Sequence, residues 1–426
     1  MSEQIRNWAG NVVFSPARSH HPASLDELRR IVAGARSVRV LGTGHSFNRL
    51  ADTEGDLVVL DALPAEAQVD ADAGTATVSA GMRLADLAAR LHAAGFALAA
   101  LPSLPHISLA GACATGTHGS GDGNQGLAAL VRGMQLVGPD GDVVELTRGA
   151  AADFDGAVVG LGAVGVVTRM TVGVVPTFDI AQFVYEGIPM RELIARFEEV
   201  FSAGYSVSGF TEWRGEASVW VKAKASEGEP EDSAPAVFWP EDGWLGGRLA
   251  TRPAHPIPGM SAENCTEQLG VPGPWHERLP HFRPGFTPSS GAELQSEFFV
   301  PRSRAAEALD AVRELGPLIA PVVQISEIRT VAADELWLSP AYRRDSVAIH
   351  FTWVADRAAV EPALAAVEGA LMPLGARPHW GKVFSGGPAA AIAGYDRAGD
   401  FRELLERRDP EGKFRNEFVR RLLAAG

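Results

Sequence analysis

Arg39-Val-Leu-Gly-Thr-Gly-His45-Ser-Phe-Asn48 decides how this chain reads. An apolar strand containing Val38, Val40 and Leu41 runs straight into a Gly-Thr-Gly turn that ends on a histidine. Glycine lets backbone N–H groups come close to a bound group, and a concave run of such donors suits a phosphate. His45 would then lie beside whatever carries that phosphate. A second glycine-rich run follows at Ala110-Gly-Ala-Cys-Ala-Thr-Gly-Thr-His-Gly-Ser-Gly-Asp-Gly123, and a third at Gly160-Leu-Gly-Ala-Val-Gly-Val-Val-Thr168. Neither common nucleotide fingerprint fits: there is no G-x-G-x-x-G at a strand–helix junction and no G-x-x-x-x-G-K-[ST].

The 426 residues are enough for two domains, each with a full core. Hydrophobic residues make up 46% and charged ones 21%, as in an ordinary globular protein. The net charge of −14 repels phosphate backbones and anionic lipid, so neither nucleic acid nor membrane is an expected partner. No run approaches the ~20 apolar residues of a span, and the first residues lack the apolar core of a signal peptide. Two cysteines, Cys113 and Cys265, make neither a disulfide framework nor a metal site. A cytoplasmic monomer is the expectation, and the scattered histidines show no metal-ligand spacing.

Residues 1–175 alternate short helices and strands. Ser24-Leu-Asp-Glu27 is a capping box ahead of Leu25, Leu28, Ile31 and Val32 at helical spacing. A second helix carries Leu84, Leu87, Ala88 and Leu91 and stops near Gly95. Strands are expected at 37–41, 57–60, 75–79 and 133–137, the last joined through Pro139-Asp-Gly141 to 143–146. The pattern changes around 175–185. A helix over 190–203 and strands at 206–213 and 218–224 are followed by a long irregular region to about 288, a lid or an unresolved part of a cap. Strands return at 293–300, 322–331 and 346–354, with helices at 303–315, 358–372 and 402–408.

Side chains on a strand alternate faces, so Glu327 and Arg329 share one face, and His350 and Thr352 share one on another strand. Both pairs sit in apolar runs. A buried ion pair gains little stability, because desolvation offsets the attraction. The four groups are either an internal tie between two strands or a polar floor for a polyhydroxylated substrate.

The order of the glycine runs and the ending Asp409-Pro-Glu-Gly-Lys-Phe-Arg-Asn416 resemble the vanillyl-alcohol-oxidase type of FAD-dependent oxidoreductases, and within it the alditol oxidase family. The resemblance covers nearly the whole chain. It implies an α+β, two-domain FAD-binding fold: an FAD domain over 1–180 completed by 380–426, and a substrate domain over 181–379 with a large antiparallel sheet. It implies FAD bound covalently through His45, with Gly42, Thr43, Gly44, Ser46, Ser108, Gly111, Thr115, Gly116, Thr117, His118, Gly165 and Val166 as cofactor contacts. From the residues alone His45 could also be a capping or core histidine, and His106 could face either cofactor or substrate. The family's substrate-side pattern matches Glu327, Arg329, His350, Thr352, Lys382, Gln295 and Ser103. Loss of hydride from a carbinol carbon needs its hydroxyl proton removed or strongly hydrogen-bonded. Cations such as Lys382 and Arg329 would stabilise the charge that develops, Glu327 would bind the neighbouring hydroxyl, and the others would read hydroxyls further along.

The implied reaction is oxidation of the terminal alcohol of xylitol or sorbitol to the aldose, with oxygen reduced to hydrogen peroxide. Pro102 stands where a small residue controls oxygen access in related lactone oxidoreductases, which keeps a non-oxygen acceptor in view. The alternatives are an aldonolactone oxidoreductase or polyol dehydrogenase, an NADPH-dependent reductase on the same FAD module, and a non-catalytic or hydrolytic protein whose glycine runs bind an anion.

Overall fold

The computed structural model describes residues 4–225, 243–285 and 292–424. Val38–Leu41 forms the edge of a parallel three-stranded sheet with Asp56–Val59 and Arg18–His20. Parallel strands need crossover connections, and the helix Leu25–Gly34 supplies the one from Arg18–His20 past the central strand to Val38–Leu41, burying Leu28 and Val32. Ser24 caps it by accepting from the Glu27 N–H at 3.2 Å, while the Glu27 carboxylate accepts from Ala23 N–H rather than from that of Ser24 itself.

Beside it lies an antiparallel sheet ordered Ala67–Asp70, Thr75–Ser79, Val166–Gly173, Val131–Val137, Val143–Thr147. The helix Leu84–Ala93 packs Leu84, Leu87 and Leu91 into the core next to it, each worth about 1.5–3 kcal/mol of burial. The helices Ala398–Arg408 and Glu417–Leu423 enter the same core through Phe401, Leu404, Phe418 and Leu422. The tail therefore closes on the first part of the chain. The wholly buried Asp409 accepts from the N–H groups of Lys413 and Phe414, both at 2.8 Å, and Val38 N–H donates to the Lys413 carbonyl.

Nine antiparallel strands build the third sheet. Its centre runs Asp179–Pro189, Glu216–Lys224, Ser206–Thr211, Val323–Val331, Ser346–Val354, Glu293–Pro301. Ile328, Ile349 and Phe298 turn to one face, where the helices Met190–Ala195, Ala305–Glu314 and Arg357–Leu371 cover them. Their immediate neighbours along the strands, Glu327, Arg329, His350 and Glu297, turn the other way, toward the glycine loops.

Arg18–His20, Ala67–Asp70 and Val166–Gly173 are strands that the sequence reading did not expect, and the later part of the chain differs further. Asp179–Pro189 is an eleven-residue strand where only a change of pattern was read. The helix expected over 190–203 is two, Met190–Ala195 and Phe197–Phe201, separated by Arg196 at φ −116° and ψ 32°. The described parts of the long irregular region add edge strands Arg248–Leu249 and Gly273–Pro274 to Asp179–Pro189; residues 226–242 and 286–288 of it lie outside the described residues.

Candidate active site

A cavity of about 500 Å³ lies between the glycine loops and the free face of the nine-stranded sheet. On its loop side stand Gly42, Thr43, Gly44, His45 and Ser46, joined by Ser108, Gly111, Thr115, Thr117 and Gly165. These loops have been stripped of side chains where the walls approach. A Cβ on Gly42 would come within 2.5 Å of Ser108 Oγ, and one on Gly111 within 2.9 Å of the same atom. Gly44 and Gly165 hold φ of +68° and +134°, which other residues adopt only under strain. Val166 and Gly116 are not on the cavity wall: Val166 is buried in the core with Val38 and Val137, and a Cβ on Gly116 would meet Pro340.

His45 lines the cavity with its ring 4.3 Å from Trp8 and 4.7 Å from His106. Its Nδ1 lies 3.4 Å from His106 Nε2, while its own Nε2 is buried without a hydrogen-bond partner. Burial, with His106 and Lys382 adding to it, pulls His45 down to about 3, so the imidazole is neutral and has a free lone pair. A glycine cradle, a buried unpartnered imidazole nitrogen and a cavity of about 500 Å³ fit a flavin cofactor. The loop is also tied to the opposite wall. Phe47 N–H donates to the Gly381 carbonyl at 2.7 Å, and Asn48 Nδ2 donates to the carbonyls of Trp380 and Lys382.

On the sheet side, Glu327 pairs in register with His350, and Glu297 pairs with His350 from the other flank. Gln295 stands opposite Thr352. Glu327, Arg329, His350, Thr352, Gln295, Lys382 and Ser103 all reach the one cavity. The charges are arranged differently from the sequence reading. Arg329 donates to Glu297 at 2.5 Å and lies 3.7 Å from Glu327, its neighbour on the strand. Lys382 Nζ is 3.0 Å from the other Glu297 oxygen. Burial works to raise Glu297, but Lys382, Arg329 and His118 outweigh it and hold the carboxyl well below its usual range.

Sequence reasoning passed over Glu297. The available signal was its place two residues after Gln295, on the same face. His118 lines the cavity as well, with both ring nitrogens engaged by protein: Nδ1 on the Gly119 carbonyl at 2.7 Å and Nε2 on Glu297 at 3.1 Å.

Lys382 Nζ lies 2.7 Å from His350 Nδ1, so that nitrogen accepts and the proton sits on Nε2, which donates to Thr352 Oγ1 at 3.1 Å. Burial first, and Lys382 second, lower His350 to about 4. Glu327 accepts from Ser208 Oγ at 2.9 Å and from Ser103 Oγ at 3.3 Å. His281, from the irregular region, reaches it at 2.8 Å. Burial acts to raise Glu327, yet Arg329 and His281 hold it well below the carboxylate range. The site is thus an ionised, acceptor-rich floor flanked by two fixed cations, suited to a neutral molecule with several hydroxyls.

Cys113 is fully buried in the core, where burial pushes its thiol up to about 12. Cys265 is buried too, and both are free. Among the described residues no group of His, Cys, Asp and Glu is arranged to hold a metal, and no helix is long and apolar enough to cross a membrane.

Comparison with known proteins agrees with this geometry. Residues 16–147 match an FAD binding domain family and residues 292–422 the D-arabinono-1,4-lactone oxidase family. The chain is 51% identical to an alditol oxidase of Streptomyces sp., covering 99% of this chain and 100% of that one. It is 28% identical to L-gulono-1,4-lactone dehydrogenase of Mycobacterium tuberculosis, covering 99% and 100%. A crystal structure of cholesterol oxidase from B. sterolicum superposes with a TM-score of 0.77 over 99% of this chain and 96% of that one, at 15% identity, and shares the fold.

Proposed function

The chain belongs to the alditol oxidase family of vanillyl-alcohol-oxidase type, FAD-binding oxidoreductases, and from that premise we propose that it oxidises the terminal primary alcohol of an alditol such as xylitol or sorbitol to the aldose, reducing oxygen to hydrogen peroxide. The observation that carries this reading is the sheet face on which Glu327 and Glu297 stay ionised beside Arg329 and Lys382. The loops at Gly42–Ser46, Ser108 with Gly111, and Thr115 with Thr117 would hold FAD, with His45 as the covalent attachment. Bound there, FAD would supply a two-electron acceptor that oxygen can reoxidise. The division into an FAD part (1–180 with 380–426) and a substrate part (181–379) is supported by the extent of the nine-stranded sheet and by the tail helices in the first core.

The chain's own groups divide the remaining work. Arg329 and Lys382 sit where the alcohol oxygen gains negative charge, and Glu297 holds both cations in place. Glu327 is too acidic to store a proton. It serves as an acceptor for the hydroxyl next to the reacting one. Thr352, His350, Gln295 and Ser103 present further donors and acceptors along the cavity, while Pro102 lies on its wall beside Ser103. Two free, buried cysteines support a cytoplasmic enzyme.

A second reading, an aldonolactone oxidoreductase, is favoured only by the family match over 292–422 and by relatives at lower identity. The test is hydrogen peroxide release from the purified yellow protein in air with xylitol. Release establishes both donor and acceptor. Bleaching of the flavin by anaerobic xylitol without peroxide makes the protein a dehydrogenase. Neither response removes the polyol reading in favour of the lactone. Retention of flavin fluorescence on acid-precipitated protein tests the covalent bond.

A further inference from the structure

Behind Glu327, away from the cofactor loops, lies a group that the reaction as described leaves unused. Lys222, on the strand Glu216–Lys224, is 2% exposed, and its amine donates to the Leu279 carbonyl at 2.5 Å and lies 3.2 Å from His281 Nδ1. Among the described residues its amine hydrogen-bonds no carboxylate directly: Glu327 is reached through the imidazole. A lysine buried on neutral groups costs stability, and burial accordingly lowers its amine to about 7.

The hydrogen bonds fix a direction. The ionised Glu327 can only accept, so His281 carries its proton on Nε2, 2.8 Å from Glu327 Oε1, and its Nδ1 lone pair is left to accept from the Lys222 amine. The ring is clamped edge-on between Phe210 and Trp220, at 5.1 and 5.4 Å. The backbone N–H of the same residue donates to the Ser103 carbonyl at 3.2 Å. One residue therefore sets both Glu327 and the loop that brings Ser103 Oγ to it.

We infer that Lys222 and His281 form a buried positioning pair that sets which lone pairs of Glu327 stay open to a polyol hydroxyl, and so governs binding of the substrate. This rests on the polyol reading above. With His281 and Ser208 on Oε1 and Ser103 on Oε2, few acceptor directions remain, and the pair selects them. Without the lysine Nδ1 loses its donor and the ring its anchor, so the imidazole shifts and the Nε2–H that fixes Glu327 is no longer held in place.

The experiment combines two readouts on the flavin-loaded enzyme and on Lys222→Met, His281→Leu and His281→Gln. The first is the ¹⁵N-histidine spectrum, with the His281 signals assigned by their loss in His281→Gln. The Nε2–H tautomer with a hydrogen-bonded Nδ1 is expected in the parent, and a downfield shift of Nδ1 to the unbonded position in Lys222→Met; an Nδ1 signal that is the same in both overturns the pairing. This readout does not depend on the substrate. The second is steady-state oxidation of xylitol. KM is expected to rise tenfold or more in Lys222→Met and His281→Leu, with kcat changing less than threefold and flavin content unchanged. His281→Gln, whose amide N–H replaces Nε2–H, stays within threefold of the parent. A KM within twofold of the parent in Lys222→Met, or equal damage in Gln and Leu variants, overturns the proposal. A parent inert to xylitol sinks the polyol reading instead, and leaves the tautomer test to judge the pair.

Discussion

Arg329 is held by Glu297, a residue on a strand two places away, at 2.5 Å, and not by Glu327, two residues along its own strand and 3.7 Å distant. Glu297 also takes Lys382 and His118, so one carboxylate fixes the positions of three polar groups around the cavity. Removing it strands two buried cations. Glu297→Ala is expected to lose about 3 kcal/mol or more of stability. Glu297→Gln, which keeps the shape, is expected to lose activity on xylitol by about 100-fold. Denaturant titration and steady-state kinetics check the two figures. A Gln variant with parental activity would show that the carboxylate's charge is dispensable.

Lys382 carries a prediction of its own. Lys382→Met is expected to lower xylitol turnover by about 100-fold, with flavin binding intact because its side chain stands on the sheet side of the cavity. The visible spectrum and kcat, taken on the same preparation, decide it. Unchanged turnover removes Lys382 from the reaction.

His45→Ala is expected to release its flavin on acid precipitation while the parent retains it. Gly42→Val goes further: a Cβ there would stand 2.5 Å from Ser108 Oγ and fill the cradle, so flavin content is expected to fall at least tenfold even with added FAD. Flavin absorbance per protein reads both variants. A flavin that stays bound to the acid-treated alanine variant places the attachment elsewhere.

Stability is expected to fall with acid before the carboxylates titrate. His281 and His350 are held neutral, with values of about 4 against an ordinary 6.5. Below 6.5 the unfolded chain binds protons that the folded chain refuses, so stability rises with pH through this window and is lost as pH falls from 6.5 toward 4. Each histidine contributes a slope of up to about 1.4 kcal/mol per pH unit. Unfolding midpoints measured at intervals from pH 7 to pH 4 test this. A flat profile down to pH 5 would mean that neither imidazole is buried neutral.

Much of the first third of the chain could be read because the signals are local. The Ser24 cap, the Leu84–Leu91 stripe, and the turn at Pro139-Asp-Gly141 all act within a few residues. The faces of Glu327 with Arg329 and of His350 with Thr352 followed from the two-residue period of a strand. Asp179–Pro189 escaped because it pairs with Glu216–Lys224 and with the short edges at 248–249 and 273–274, contacts far away in the chain. His281 escaped for the same reason, lying in a Pro- and Gly-rich stretch with no periodicity to mark it.

The sequence by itself determined where the backbone must come close to a bound group, which side chains share a strand face, and, through family resemblance, what chemistry the cavity serves. Only the tertiary structure decided the pairing of charges. Strand order placed Glu297 beside His350 and within reach of Arg329, and the chain reversal at 379–383 delivered Lys382 to the same carboxylate. Ion pairs depend on distances across strands, and a sequence specifies those only through the folded sheet.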